Sequence, residues 1–393
     1  MNTFDRDLAI MVPTYSRLPL EIDKGEGCYL VDKEGKRYLD LFGGLAVNAL
    51  GYAHPDIVAA VEGQIRKHGH ISNLFAQDAQ VELAELLSKE SDGKRVFFCN
   101  TGAEATESAI KLARKWGSQH GKNTLVGFTG GFHGRTTGAL AIMANEKYRA
   151  GFGPFIEGCR HLEFNNPEDL ERGIDASTAA VFIEPIQGEG GVVPATEEFI
   201  DTLVRLRAKF GFLIVSDEIQ TGIGRTGTFW GYERFGFQPD LITAAKAIGG
   251  GLPLGVLLVG DSLKDVYGLG NHGTTFGGNP VACAAGIAVM QTLQQERLID
   301  NARSVGEVFR EGFLQLKERY PNHIVDVRGA GLMIGVELAE PIENLREQFL
   351  SRGVLINITH QRVIRLLPPL ILSEQQAREA LDTFTHIFAQ VFS

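Results

Sequence analysis

The sequence predicts an α/β protein, with a mainly parallel sheet flanked by helices and a smaller α+β domain after it. Three observations predict this. Short apolar runs without strict alternation recur through the middle of the chain, as expected of strands buried on both faces. Amphipathic stretches separate these runs, which is the pattern of strand–helix–strand units. Beyond residue 285 the pattern changes to helices mixed with further strands. The expected divisions are an N-terminal segment over 1–50 that packs with the small domain, a large domain over 51–285, and a small C-terminal domain over 286–393.

Taken in order, CYLVDKEGKRYLDLFGG (28–44) reads as a hairpin, with two alternating runs joined by Asp-Lys-Glu-Gly. The buried strands are VFFC (96–99), TLVGF (124–128), AAVFI (179–183), FLIVS (212–216), DLITA (240–244) and GVLLV (255–259). Helical spacing appears between them in EATESAIKLARKWG (104–117) and EFIDTLVRLRAKFG (198–211). A long helix is expected over 286–319, strands around 324–338 and a helix over 343–352. Strands VLINI (354–358) and VIRLL (363–367) and a last helix over 373–392 complete the chain.

The bulk numbers narrow the function. The 393-residue chain is 44% hydrophobic and carries a formal charge of -10. That charge argues against nucleic acid or an anionic membrane surface as a partner, since both need a basic face. No stretch approaches the ~20 apolar residues of a membrane span. The N-terminus has early acids and no apolar core, so no signal peptide is expected. The cysteines Cys28, Cys99, Cys159 and Cys283 are far apart in sequence. They read as reduced thiols of a cytoplasmic protein, and no metal site is expected.

Several strand ends carry residue types suited to chemistry. Thr101 and Glu104 fit a capping box that starts a helix directly after the VFFC strand. The amides of Gly102 and Ala103 then form either an ordinary capped helix end or a phosphate site. Phe132, in the loop GGFHGRT, is either a core aromatic or a ring that stacks on a flat heterocycle. His133 beside it reads as structural, with a base or ligand as the alternative. Arg135 offers a fork of donors suited to a carboxylate, or is a solvated surface arginine. Glu184 and Glu189 flank a glycine-rich turn in EPIQGEGG. A glycosidase pair lacks a nearby aromatic platform for a sugar.

Asp217 and Glu218 leave a buried strand in FLIVSDEIQTG, where an acid can meet a ligand at the sheet's carboxyl edge. Lys246 leaves the DLITA strand and precedes three glycines. An amine that condenses with an aldehyde and a carboxylate that keeps a pyridine nitrogen protonated are what pyridoxal phosphate requires of a protein. Gln220 could bond a ring oxygen. Thr274 and Thr275, among the glycines of HGTTFGGNP, suit a phosphate or carboxylate, or form a polar turn. Two GxGxxG matches, GIGRTG (222–227) and GLGNHG (268–273), read as decoys. Neither opens a clear helix or has the ribose-binding acid downstream, which sets aside a nicotinamide enzyme.

Taken together, NTGAEA, FHGRT, EPIQGEGG, DEIQTGIGRTG, AKAIGGG and HGTTFGGNP, in this order, resemble the class III (subgroup II) pyridoxal-phosphate aminotransferases, most closely the acetylornithine branch. The likeness runs from about Leu20 to the C-terminus. It implies the fold type I of pyridoxal-phosphate transferases, with pyridoxal 5'-phosphate held by the large domain. It implies a homodimer with shared active sites and small amino-acid and 2-oxo-acid substrates. Lys246 is then the lysine that bonds the cofactor and Asp217 the partner of its ring nitrogen. Gln220 lies near the ring oxygen, Phe132 stacks on one face of the ring and Ile219 packs on the other. Gly102 and Ala103 hold the phosphate, and Thr275 reaches it from the neighbouring subunit. Arg135 and Thr274 contact the acylated substrate, Arg365 grips the α-carboxylate of glutamate, and Glu189 pairs with Arg365 when the other substrate is bound.

The implied reaction moves the δ-amine of N-acetylornithine to 2-oxoglutarate, reversibly and by a ping-pong course, in arginine biosynthesis. Succinylornithine, ornithine, 4-aminobutyrate or a lysine-pathway semialdehyde are the alternatives within the family. A non-catalytic cofactor-binding protein is the rival outside it. Two departures bear on the choice. Ala76 stands where relatives commonly carry an aromatic residue. Gly43 to Asn48 lacks the tyrosine that ornithine aminotransferases use to contact a free α-amine, which points to an N-acylated substrate.

Overall fold

The computed structural model describes residues 3–392. Its centre is a seven-stranded sheet in the order Arg95–Cys99, Gly255–Val259, Leu241–Ala244, Leu213–Asp217, Thr178–Ile183, Thr124–Phe128, Cys159–Leu162. The four strands from Leu241–Ala244 through Thr124–Phe128, with Cys159–Leu162, pair in parallel, for example Ser216 with Ile242 and Val181 with Ile214. Gly255–Val259 alone runs the other way, antiparallel to both neighbours. Five of the seven strands are buried along their whole length, which is why their sequences are apolar runs without alternation.

The strand Cys159–Leu162 is absent from the expected runs. It closes one edge of the sheet and is half-buried over Cys159, Arg160 and His161, so its sequence shows no apolar signature. The helix Gly102–Gln119 starts at the expected capping box, with Thr101 as N-cap and Glu104 returning the bond. The helix Glu197–Phe210 is capped by Thr196 and ends on Gly211, whose φ of 62° suits only a residue without a Cβ clash.

The hairpin at 28–44 forms, pairing Tyr29 with Leu39 and Leu30 with Tyr38. A third strand, Ile22–Glu26, extends it. The expected single strand over 354–358 is two. Val354–Leu355 joins the N-terminal hairpin in parallel, at Leu39 and Asp40. Asn357–Thr359 turns into a separate sheet, antiparallel to Val363–Leu366. The expected long helix over 286–319 is also two, Pro280–Gln295 and Leu298–Arg319. They break at Arg297, whose φ of 53° takes the chain out of the helical region. The C-terminal helices pack through phenylalanines, with Phe384 centred 4.9 Å from Phe313 and 4.4 Å from Phe349.

Cys28, Cys99 and Cys283 are buried and Cys159 half-buried, all as free thiols. Among the described residues no helix is long and apolar enough to cross a membrane. Both GxGxxG stretches lie in turns and open no helix.

Candidate active site

Six strands of the central sheet run the same way, so their carboxyl ends share one edge, and five of those ends lead into the site. Cys99 leads there into Thr101–Ala103, Phe128 into Phe132 and His133, and Ile183 into Glu184. Asp217 ends its own strand, and Ala244 leads into Lys246. The segments converge on a cavity of about 490 Å³. Gly102, Ala103, Phe132, Asp217, Ile219, Gln220 and Lys246 line it, with Arg135 and Glu189.

The amine of Lys246 makes no hydrogen bond or ion pair with any described residue, so it is uncommitted at the cavity wall. Burial pushes its pKa down. Nearby Glu189 opposes this, Arg365 adds to it, and Asp217 and Glu184 oppose it further. The backbone at Lys246 is left-handed, with φ 50°. A non-glycine residue there costs roughly 1–3 kcal/mol, which the packing around the three following glycines must offset.

Asp217 is buried, and its Oδ2 accepts from His133 Nδ1 at 2.7 Å. Its Oδ1 accepts from the amide of Ile219 at 3.1 Å. Burial alone would lower the pKa of His133, but the hydrogen bond and charge of Asp217 outweigh it and raise it. From the sequence alone His133 reads as structural. The structure places it directly behind Asp217, a contact spanning 84 positions that only its neighbour Phe132 hints at.

Glu184 is buried and accepts from the amides of Phe132 at 2.8 Å and Gly188 at 3.2 Å. Its pKa is raised to about 7, chiefly by burial, against the pull of His133. Glu218 points away from the cavity, as the alternation of a strand requires for the neighbour of Asp217. It accepts from the amides of Gly231 and Tyr232 at 2.8 and 2.9 Å and from the hydroxyls of Ser216 and Thr221. It is therefore a structural anchor.

The first turn of the helix Gly102–Gln119 faces the cavity. The capping box occupies the amides of Thr101 and Glu104. The amides of Gly102 and Ala103 have no partner among the described residues, and they carry the positive end of the helix dipole. A Cβ at Gly102 would come 2.8 Å from Ile219 Cδ1, so the helix start and Ile219 close on each other.

Glu189, which lines the cavity, pairs with the buried Arg365 behind it. Arg365 Nη1 donates to Glu189 Oε1 at 2.6 Å and to Gln220 Oε1 at 3.3 Å. Arg365 Nη2 and Nε share Asn357 Oδ1, at 2.8 and 3.1 Å, across the strand pair that places Asn357 opposite Arg365. Burial would raise the pKa of Glu189, but Arg365 outweighs it and holds it below its ordinary value. A second, polar cavity of about 750 Å³ is lined by both residues and shares Glu189 with the first.

Thr274 and Thr275 do not line the cavity. Thr274 Oγ1 accepts from Asn100 Nδ2 and from the amide of Gly277, both at 3.2 Å. Thr275 is exposed on the surface beside it. Val47 lines the cavity within the segment that lacks a tyrosine. Ala76 is exposed on the chain's surface.

The arrangement offers an uncommitted buried amine, a buried carboxylate at the same cavity, and two free amides at a helix start. These are the donors and acceptor that pyridoxal 5'-phosphate needs at its aldehyde, ring nitrogen and phosphate, and the residues fit that group. Residues 10–388 match the family model for class-III aminotransferases. The chain is 44% identical to an acetylornithine aminotransferase of Archaeoglobus fulgidus, over 97% of this chain and 99% of that one. It is 40% identical to one of Aquifex aeolicus, over 97% of this chain and 100% of that one. Its fold superimposes on the ornithine aminotransferase of Toxoplasma gondii with a TM-score of 0.94 at 30% identity, covering 98% and 95% of the two chains. A PLP-bound amine transaminase from an uncultivated Pseudomonas species gives 0.89 at 29% identity, covering 97% and 98%. The cavity and these likenesses agree, and the chain belongs to the class-III aminotransferases, the pyridoxal-phosphate enzymes of fold type I.

Proposed function

We propose that this enzyme moves the δ-amine of N-acetylornithine to 2-oxoglutarate, reversibly, in arginine biosynthesis. The observation that carries this function is the Glu189–Arg365 pair at 2.6 Å, whose Glu189 lines the cavity that holds Lys246. A ping-pong transaminase admits two amines in turn. Glutamate brings a carboxylate beside its amine, and Arg365 can take it. N-acetylornithine brings none there, and Glu189 then covers Arg365. Without that cover, a buried unpaired charge costs about 3–5 kcal/mol.

Pyridoxal 5'-phosphate supplies an aldehyde that bonds amines and a protonated ring that draws electrons from the reacting carbon. Lys246 is the lysine that holds it. With its pKa lowered by burial, the lysine amine is also a base for the proton on the amine-bearing carbon. Asp217, oriented by His133, keeps the ring nitrogen protonated. Gln220 would lie toward the ring oxygen, and Phe132 and Ile219 would cover the two faces. The amides of Gly102 and Ala103 would take the phosphate. Arg135 meets the distal carboxylate of the acylated substrate, with Thr274 assigned to the same end.

The same reading makes the enzyme a homodimer. Leu74 (89%), Phe75 (63%) and Phe276 (57%) are large apolar side chains left exposed around Thr275. Asn73 Nδ2 ties their two loops together, donating to the carbonyls of Thr274 and Gly277 at 3.2 and 3.1 Å. A second copy covering this face would bring Thr275 to the neighbouring phosphate. The division into segments 1–50, 51–285 and 286–393 is proposed with it, as is a cytoplasmic setting, which suits the buried free thiols. Val47, small and apolar at the cavity, supports an acylated amine over free ornithine.

The test is the half-reaction of the cofactor-loaded enzyme with glutamate, N-acetylornithine and ornithine in parallel. Conversion by the first two, with ornithine at least about tenfold slower, is expected. Ornithine reacting as fast as N-acetylornithine would contradict the proposal.

A further inference from the structure

Arg135 is held in an unusual way for a side chain assigned to grip a carboxylate. Its guanidinium makes no hydrogen bond or ion pair with any described residue. What holds it is aromatic surface. Its Cζ lies 4.1 Å from the ring centre of Tyr148 and 5.4 Å from that of Phe132. The two rings meet edge to face, with centres 5.7 Å apart. A guanidinium stacked on a ring face is fixed in direction while its five N–H donors stay unspent, whereas an ion pair would consume them.

The ring that does most of this is itself pinned. Tyr148 sits in the single helical turn Glu146–Arg149. The side chain of Asn145 caps that turn, accepting from the amide of Lys147 at 3.0 Å. The amide of Tyr148 donates to the carbonyl of Asn145 at 3.0 Å. Arg149 Nη1 ties the turn to the carbonyl of Met143 at 2.9 Å. Tyr148 lines the second cavity while Arg135 lines the first, so the ring stands between the two and backs the guanidinium.

We infer that Tyr148 is a positioning residue for substrate selection: its ring face, not its hydroxyl, holds Arg135 with its donors free toward the distal carboxylate of the substrate. This rests on the assignment of Arg135 made above. The phenol oxygen has no hydrogen-bond partner among the described residues, so replacing it with hydrogen removes no bond.

The experiment compares holoenzyme of wild type, Tyr148→Phe, Tyr148→Leu and Arg135→Ala in the amine half-reaction. N-acetylornithine is set against pentylamine, which has the carbon chain and amine but no carboxylate. Tyr148→Leu is expected to raise KM for N-acetylornithine about tenfold with kcat within about twofold, and to leave pentylamine unchanged. Tyr148→Phe is expected to match wild type on both. Arg135→Ala is expected to abolish most of the preference for N-acetylornithine. If Arg135→Ala has that effect and Tyr148→Leu has none, the inference fails alone. It also fails if Tyr148→Leu slows pentylamine equally, or if Tyr148→Phe behaves as Tyr148→Leu. An unchanged preference in Arg135→Ala overturns the carboxylate assignment and the inference with it.

Discussion

His133 Nδ1 lies 2.7 Å from Asp217 Oδ2, with both side chains buried at the cavity. The pair fixes the direction of a carboxylate that would otherwise rotate. The pKa of His133 is raised in the folded protein, so the charged pair stabilises the fold fully below the unfolded value near ~6.5 and progressively less as pH rises through the folded value. His133→Phe should therefore unfold at lower urea than wild type, by about 1–3 kcal/mol near pH 6. The gap should narrow at pH well above the folded value. Urea titrations of both proteins across pH measure it, and a gap independent of pH would show the pair to be uncharged.

Glu189→Gln removes the charge that covers Arg365. The N-acetylornithine half-reaction should weaken by tenfold or more, since part of a 3–5 kcal/mol unpaired-charge cost then falls on that complex. The glutamate half-reaction should hold or improve. Single-turnover rates with both amines give the ratio, and an unchanged ratio would remove the switch from the mechanism.

Gly102→Ala places a methyl group 2.8 Å from Ile219 Cδ1, beside the two free amides. Ile219 lines the cavity, so a displaced side chain there disturbs the space for the cofactor. The expected result is a cofactor affinity lower by about tenfold, roughly 1.4 kcal/mol, with little change in melting temperature. Titration of cofactor-free protein with pyridoxal 5'-phosphate measures this.

Glu218→Gln should act on stability alone. The carboxylate accepts from two backbone amides and two hydroxyls. An amide side chain turns one acceptor into a donor that faces other donors. A loss of about 2–4 kcal/mol is expected by denaturant unfolding. Substrate preference in the surviving enzyme should stay at the wild-type ratio.

The elements easiest to read in the sequence were those whose signal is local. A strand buried on both faces is an apolar run, and the capping box of Thr101 and Glu104 lies within four residues. Lys246 and Asp217 were legible because each follows such a run directly. The Cys159–Leu162 strand was hidden because an edge strand needs little apolar surface. The break at Arg297 was hidden because the apolar pattern continues through it on both sides. Contacts between loops were hidden most of all. The pairing of His133 with Asp217 and the stacking of Arg135 on Tyr148 follow from where strands end in space, which the sheet order decides. Asn357 was within reach, since it faces Arg365 across a short hairpin, but the split of VLINI into two sheets obscured that register.

Lys246 is the amine that should bond the cofactor, and every other role at the site follows from that bond. Borohydride reduction of the loaded enzyme, followed by peptide mapping, tests this directly. The cofactor's mass should appear on the peptide carrying Lys246 and on no other, and Lys246→Ala should carry none. Label on a different lysine, or an unlabelled Lys246 in active enzyme, would contradict the account.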